Sequence, residues 1–175
     1  MIRPFQGIVP TVPASSWVDD SAVVIGDVVL GEDVSIWPQA VLRGDVNAIR
    51  IGDRTNIQDA AVVHVSHVGP FNPKGARTVI GADVTVGHRA VLHGCTLHDR
   101  ILVGIGAILM DDVVVESDVI IGAGSLVPPG KVLAAGYLYV GSPARRVRPL
   151  TDSERAQLRY SARYYADLKN RHRGG

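Results

Sequence analysis

Aromatic residues are scarce in this chain, at 5% of 175 positions against 46% hydrophobic residues overall. A core of packed rings is therefore excluded, and Val, Ile, Leu and Ala must fill the interior. There is one cysteine, Cys95, which rules out an internal disulfide and suits a reducing compartment. No apolar run approaches the ~20 residues of a membrane span. The opening Met1-Ile2-Arg3-Pro4-Phe5-Gln6-Gly7 holds no apolar stretch long enough for a signal peptide. Charge of one sign is missing too. With 18 Lys and Arg against 17 Asp and Glu the formal net charge is +1, which supplies no field for nucleic acid or an anionic membrane. The stretch from Arg145 to Arg173 is locally basic, which a solvated helix face explains as well as a binding patch does. The expectation is a soluble, cytoplasmic protein with no nucleic-acid and no membrane partner. What is abundant is glycine and proline, 19 and 10 residues, which with small aliphatics favours many short strands joined by tight turns.

A repeat runs through most of the chain. An aliphatic residue followed by glycine recurs at Ile25-Gly26, Leu30-Gly31, Ile51-Gly52, Ile80-Gly81, Val86-Gly87, Val103-Gly104 and Ile121-Gly122. The aliphatic positions step mostly by six residues: Ile51, Ile57, Val63; Ile80, Val86, Leu92; then Leu97, Val103, Leu109, Val115, Ile121, Val127. The step from Leu92 to Leu97 is one residue short, and a similar slip falls between Ile25 and Leu30. Six is not a helical period. It suits a short strand and a turn, repeated, with one aliphatic per strand pointing into a shared core. Each following glycine is expected to permit a bend that a Cβ would oppose. The reading is an all-β solenoid, and if three such strands make one triangular coil the rung is 18 residues, a three-sided form that resemblance to hexapeptide-repeat proteins implies. Two stretches break the register: Leu42 to Ile51, and Val68 to Val79, where Gly69-Pro70, Asn72-Pro73 and Lys74-Gly75 mark an excursion loop. The repeat is expected to end near Pro128-Pro129-Gly130. Thr151-Asp152-Ser153-Glu154 is a capping box opening a helix, with Leu158, Ala162, Tyr165 and Leu168 on one face. Residues 1–150 thus form a β-helix domain with its loop at about 68–79, and 151–175 a C-terminal helix and tail.

Repeat phase sorts the six histidines. His64 follows Val63 and His93 follows Leu92, so both stand just after an inward aliphatic, 29 residues apart. Discounting an 11-residue excursion between Val63 and Ile80 leaves 18, one full coil. The two imidazoles are therefore expected on one face, one rung apart. Arg43, which follows Leu42, falls in the same column once three extra residues before Ile51 are discounted. His88 sits two places after Val86, on the preceding side of the triangle, so a neighbouring subunit would have to bring it to the other two. Three-histidine sites with an open position are a catalytic zinc arrangement.

Arg43-Gly44-Asp45, Asn56-Ile57-Gln58-Asp59, His64, Val86-Gly87-His88 and Leu92-His93-Gly94-Cys95, in that order, resemble γ-class carbonic anhydrases. Gly122-Ala123-Gly124-Ser125-Leu126-Val127-Pro128-Pro129-Gly130 and Gly141-Ser142-Pro143-Ala144 match the subfamily of short bacterial homologues. The resemblance covers nearly the whole chain and implies a left-handed parallel β-helix of hexapeptide repeats. It implies a homotrimer with three boundary metal sites, His64 and His93 coming from one subunit and His88 from the next. The ion implied is zinc, with iron or cobalt also able to occupy such sites, and the substrate pair is CO2 and bicarbonate. Gln58 matches the residue that orients the reacting hydroxide. Arg43 and Asp45 match a pair linked across the trimer boundary, Asp59 a support of the site, and Tyr160 or Tyr164 a wall of the pocket. His67 borders the loop and Cys95 reads as a small core residue.

The match fails at the proton path. The archetype carries an acidic loop, whereas Val65 to Arg77 here contains no Asp or Glu, and the acidic residue after Arg-Gly-Asp is Val46. CO2 hydration releases a proton each turnover, so the missing acceptor puts the rate in question. The rival readings are a hexapeptide-repeat acyltransferase with one histidine base, a thioesterase using the same metal, and a metal-binding trimer without turnover.

Overall fold

The computed structural model describes residues 1–174. Its chain winds as a three-sided solenoid of short parallel strands. The first side stacks Val62–His64, Val91–His93, Ile108–Leu109 and Leu126–Val127; the second stacks Thr78–Ile80, Thr96–Leu97, Val114–Val115 and Val132–Leu133. Val41–Ile51 runs round the corner between these two sides and so joins them into one sheet. The third side is a separate sheet from Trp17–Val18 through Asn56–Ile57, Thr85–Val86, Ile101–Val103 and Val119–Ile121 to Tyr137–Gly141. Ala144–Pro149 adds to it antiparallel to Tyr137–Gly141. That strand is then the sheet's edge, and its exposed Arg145, Arg146 and Arg148 discourage further pairing.

The six-residue column is the core. Ile57, Val63, Val86, Leu92, Val103, Leu109, Val115 and Ile121 are all fully buried, and small residues two places earlier, such as Ala61, Ala90, Cys95 and Ala107, fill the corners beside them. Burial of each large aliphatic contributes about 1.5–3 kcal/mol. Three expectations change. The slip at Ile25 is absent: Val24 is the residue in register with Leu42, it is fully buried, and it stands six residues before Leu30. The repeat also passes through Pro128 and Pro129, which fall in a corner, and continues inward with Leu133 and Tyr139.

The glycines after the aliphatics have a different cause as well. At Gly52, Gly87 and Gly104 a Cβ would stand within 3 Å of the next coil's backbone, so close stacking demands glycine. The left-handed bend falls three residues after the inward aliphatic, at Asp33, Arg54, Asp83, Arg100, Asp112 and Asp118 among others, with φ of 55–60°. The short step after Leu92 places Gly94 in that role.

Val65 to Arg77 leaves the coil as a small hairpin pinned by Ser66 and Ala76, and Thr78 already belongs to the second side. The C-terminal helix Asp152–Arg173 opens with the expected capping box, Thr151 accepting from the Glu154 amide and Glu154 from the Thr151 amide. It packs on the third side through Leu158, Ala162 and the stem of Lys169, whose ammonium bonds Asp33. Among the described residues no helix is long and apolar enough to cross a membrane.

Candidate metal centre

His64 and His93 are direct neighbours on adjacent strands of the first side, in Cα register. Both follow a fully buried aliphatic, Val63 and Leu92, which turns the next side chain outward at the corner. His64 Nδ1 stands 3.2 Å from His93 Nε2. Two zinc–nitrogen bonds of about 2.0–2.1 Å at a tetrahedral angle span about 3.3–3.4 Å, so this edge fits an ion bound by both rings. A pair of neutral imidazoles also suits iron or cobalt.

Partners behind the rings fix their orientation. Asp111 Oδ1 accepts from His93 Nδ1 at 2.5 Å, and Ser66 Oγ donates to the other oxygen of Asp111. That bond leaves Nε2 of His93 as the lone-pair nitrogen, the arrangement found behind metal-ligating histidines. His64 Nε2 lies 3.1 Å from Asp45 Oδ1, and Arg43 Nη1 donates to Asp45 Oδ2 at 2.7 Å. Burial lowers the His64 pKa against the pull of Asp45, which favours the neutral ring a metal requires. Burial pushes the Asp45 carboxyl up, but hydrogen bonds from Arg43 and His64 outweigh it and hold the group ionised. Arg43 and Asp45, implied as a link across a subunit boundary, bond to each other within this one chain.

The other predicted residues gather at the opposite end of the same side. His88 Nδ1 is 2.9 Å from Asp59 Oδ2, which again leaves Nε2 free, and the His88 side chain is 44% exposed. Gln58 is buried one coil below, its Nε2 donating to Asn56 Oδ1 at 3.1 Å. Among the described residues no three His, Cys, Asp or Glu side chains of the single chain converge on one point. The histidines are divided between two corners.

Tyr160 is not part of either cluster. It is 66% exposed and stacks on Tyr164, itself 41% exposed. Tyr165 is the tyrosine that borders the groove with Gln58 and His88. Residues 158, 162, 165 and 169 share the helix face toward the coil, and position 160 lies about 200° round from 158. Burial pushes the Tyr165 hydroxyl above its ordinary range, helped by Asp59 and opposed by Gln58. Asp111 was missed as well, although it stands 18 residues after His93, one coil further on. His67 is exposed on the loop, and Cys95 is buried, its thiol pushed up to about 12 by burial.

Fold and histidines together define a hexapeptide-repeat solenoid with a divided imidazole site. No family model matches the sequence. The chain is 54% identical over 170 residues to Protein YrdA of Escherichia coli (strain K12), covering 97% of this chain and 92% of that one. It is 46% identical over 163 residues to Gamma carbonic anhydrase 1, mitochondrial, of Arabidopsis thaliana, covering 93% of this chain and 59% of that one. A solved hexapeptide transferase family protein from Anaplasma phagocytophilum superposes with a TM-score of 0.89 at 40% identity, over 97% of this chain and 96% of the other. The chain belongs to the γ-class carbonic anhydrase family, in its group of short homologues.

Proposed function

We propose that this protein is a metal-dependent hydratase that interconverts CO2 and bicarbonate as a cytoplasmic homotrimer. The observation that carries the reading is the 3.2 Å approach of His64 Nδ1 to His93 Nε2, with Asp111 fixing the second ring from behind. His88, held by Asp59 with Nε2 outward at the far corner, is the third ligand, supplied to the pair by a neighbouring protomer. Zinc in such a site acidifies a bound water towards a pKa of ~7 and so supplies a nucleophile at neutral pH. The surface between the two corners supports assembly. Val41, Val62, Val91, Ile108 and Leu126 form one registered outward column, with Val62 and Ile108 each 37% exposed. Such an apolar ladder calls for a protein partner.

The chain's own groups have defined tasks. Gln58 donates one amide hydrogen to Asn56 Oδ1 and also bonds the Tyr165 hydroxyl, and its Oε1 is the acceptor that would orient a reacting water. Asp59 and Asp111 hold the imidazole tautomers, and the Arg43–Asp45 pair braces His64. Proton exit falls to solvent buffer, because the excursion loop carries no carboxylate.

A second reading, thioester hydrolysis at the same site, is favoured by one feature. A largely apolar groove of about 400 Å³ runs from Gln58 and His88 under the helix, past Leu102, Ile120 and Leu158. That space exceeds the needs of a triatomic gas and suits an acyl chain.

The test is metal per chain, measured on the wild type and on His64→Ala, His88→Ala and His93→Ala. About one divalent ion per chain, lost in each variant, is the expected result. No metal, or metal retained in all three variants, overturns the reading, and acyl transfer that survives chelation would replace it.

A further inference from the structure

The corner between the second and third sides carries a column of charge. Its left-handed residues, read coil by coil, are Asp33, Arg54, Asp83, Arg100 and Asp118, so sign alternates up the stack. Arg54 grips Asp83 through two bonds of 2.7 and 3.0 Å, and Arg100 grips Asp118 through two of 2.9 and 3.0 Å. Asp33 is taken by Lys169. Those five residues and Lys169 balance in charge, and Asp53 and Asp99 of the same turns lie near Arg54 and Arg100 as well.

The helix then adds cations beside this corner. Arg155, Arg159 and Arg163 follow one another at four-residue spacing, so they share a helix face. Like charges at that spacing repel one another and destabilise a helix. Among the described residues Arg163 makes no hydrogen bond or ion pair, and Arg159 comes no nearer than 4.0 Å to Asp118. A cavity of about 300 Å³ opens between helix and corner, lined by Arg54, Asp83, Arg100, Arg159 and Arg163. Four guanidiniums therefore surround a space with one carboxylate, already committed to Arg54. Neither the His64–His93 corner nor the His88 corner takes part, so an assembly through the first side leaves this pocket open.

We propose that this pocket binds a phosphate dianion, either free or as the phosphate group of a small metabolite. Paired guanidinium N–H groups match phosphate oxygens two at a time, and a concave site excludes the extended polyanions that a flat basic face would take. Arg159 and Arg163, neither held by a carboxylate closer than 4.0 Å, would face the dianion. The site is independent of the metal-centred reaction.

The experiment is calorimetric titration of the full-length protein with inorganic phosphate and with glycerol phosphate, at about 0.15 M ionic strength so that diffuse attraction is screened. The expected result is saturable binding of at least one of them, with one site per chain. The double variant Arg159→Gln/Arg163→Gln should weaken it by about tenfold or more, the scale of losing charge-assisted bonds. The exposed pair Arg145→Gln/Arg146→Gln and the variant His64→Ala should leave it unchanged. Tighter binding of the ester assigns the site to a phosphorylated metabolite, and tighter binding of the free ion assigns it to phosphate itself. Absence of saturable heat from both ligands overturns the proposal. So does equal weakening in the two arginine pairs, which means a diffuse field. Loss in His64→Ala also overturns it, since the anion then sits at the metal.

Discussion

Two corners of this solenoid are built from the same repeat and resolve their polar groups in opposite ways. Between the second and third sides, Arg54 faces Asp83 and Arg100 faces Asp118, so each cation meets an anion one coil away. Between the first and second sides, His64 faces His93, two lone-pair nitrogens 3.2 Å apart with their carboxylates behind rather than between them. The first arrangement is complete within one chain. In the second, the Arg43 guanidinium reaches only the His64 ring, with Nη2 3.4 Å from Nδ1, and no carboxylate stands between the two imidazoles. A regular scaffold thus separates structural polarity from functional polarity by which groups it stacks, not by how it folds. The arginines above the first corner repeat the lesson in reverse, since Arg159 and Arg163 line its cavity with no carboxylate closer than 4.0 Å.

The largest effect should come from what the two corners share. Leu92 underlies His93, and Leu97 opens the turn that carries Arg100; both are buried in one core. Leu92→Ala and Leu97→Ala should each cost about 2–5 kcal/mol in chemical denaturation. Only Leu92→Ala should also loosen metal binding, because only it frees His93. Equal loss of metal in both variants would show that the corners do not behave separately.

The next contrast removes one carboxylate from each corner. Asp111→Asn keeps the size of the group behind His93 but removes its charge, and metal affinity should fall about 10–100-fold in a chelator competition. Asp83→Asn removes half of a partly exposed ion pair and should change stability by no more than about 1 kcal/mol, with metal affinity unaffected. An unchanged affinity in Asp111→Asn would mean that Asp111 does not orient the ring.

How far these corners could be read from sequence depends on what set each residue's phase. The inward column from Ile51 to Val127 was legible because the six-residue step leaves one aliphatic per strand and burial follows it without exception. His64 and His93 were legible because the excursion between them could be discounted as a block, and the register places them opposite each other. Val24 was missed because Val23, Val24 and Ile25 are all aliphatic, and the glycine after Ile25 pointed to the wrong one. That glycine, Gly26, takes a positive φ and lies against the Gly44 carbonyl, so it answers to its own site rather than to the repeat. Tyr165 was counted on the helix's apolar face yet passed over for the site, because which tyrosine meets Gln58 depends on how the helix docks. The Arg–Asp ladder escaped notice since Arg54 and Asp83 are 29 residues apart and become neighbours only after the loop is discounted.

The smallest effect expected lies at the helix start, where Glu154 unites both kinds of contact. It accepts from the Thr151 amide as a cap and from Arg148 through two bonds of 2.8 and 2.7 Å. The Arg148 guanidinium, followed by the Thr151 amide, lowers its carboxyl to about 2 from 4.5. A folded pKa below the unfolded one means stabilisation that is present above pH 4.5 and is lost as pH falls towards 2. Glu154→Gln keeps a capping side chain, since glutamine serves at that position, and removes only the charge. Wild type should therefore melt above the variant near neutral pH, and the gap should close as acid is added through that window. The gap should be modest, because the pair is exposed and solvent screens it. A gap that stays constant with pH would show that the cap acts through geometry alone, and that Arg148–Glu154 belongs with the self-satisfied pairs of the ladder only in appearance.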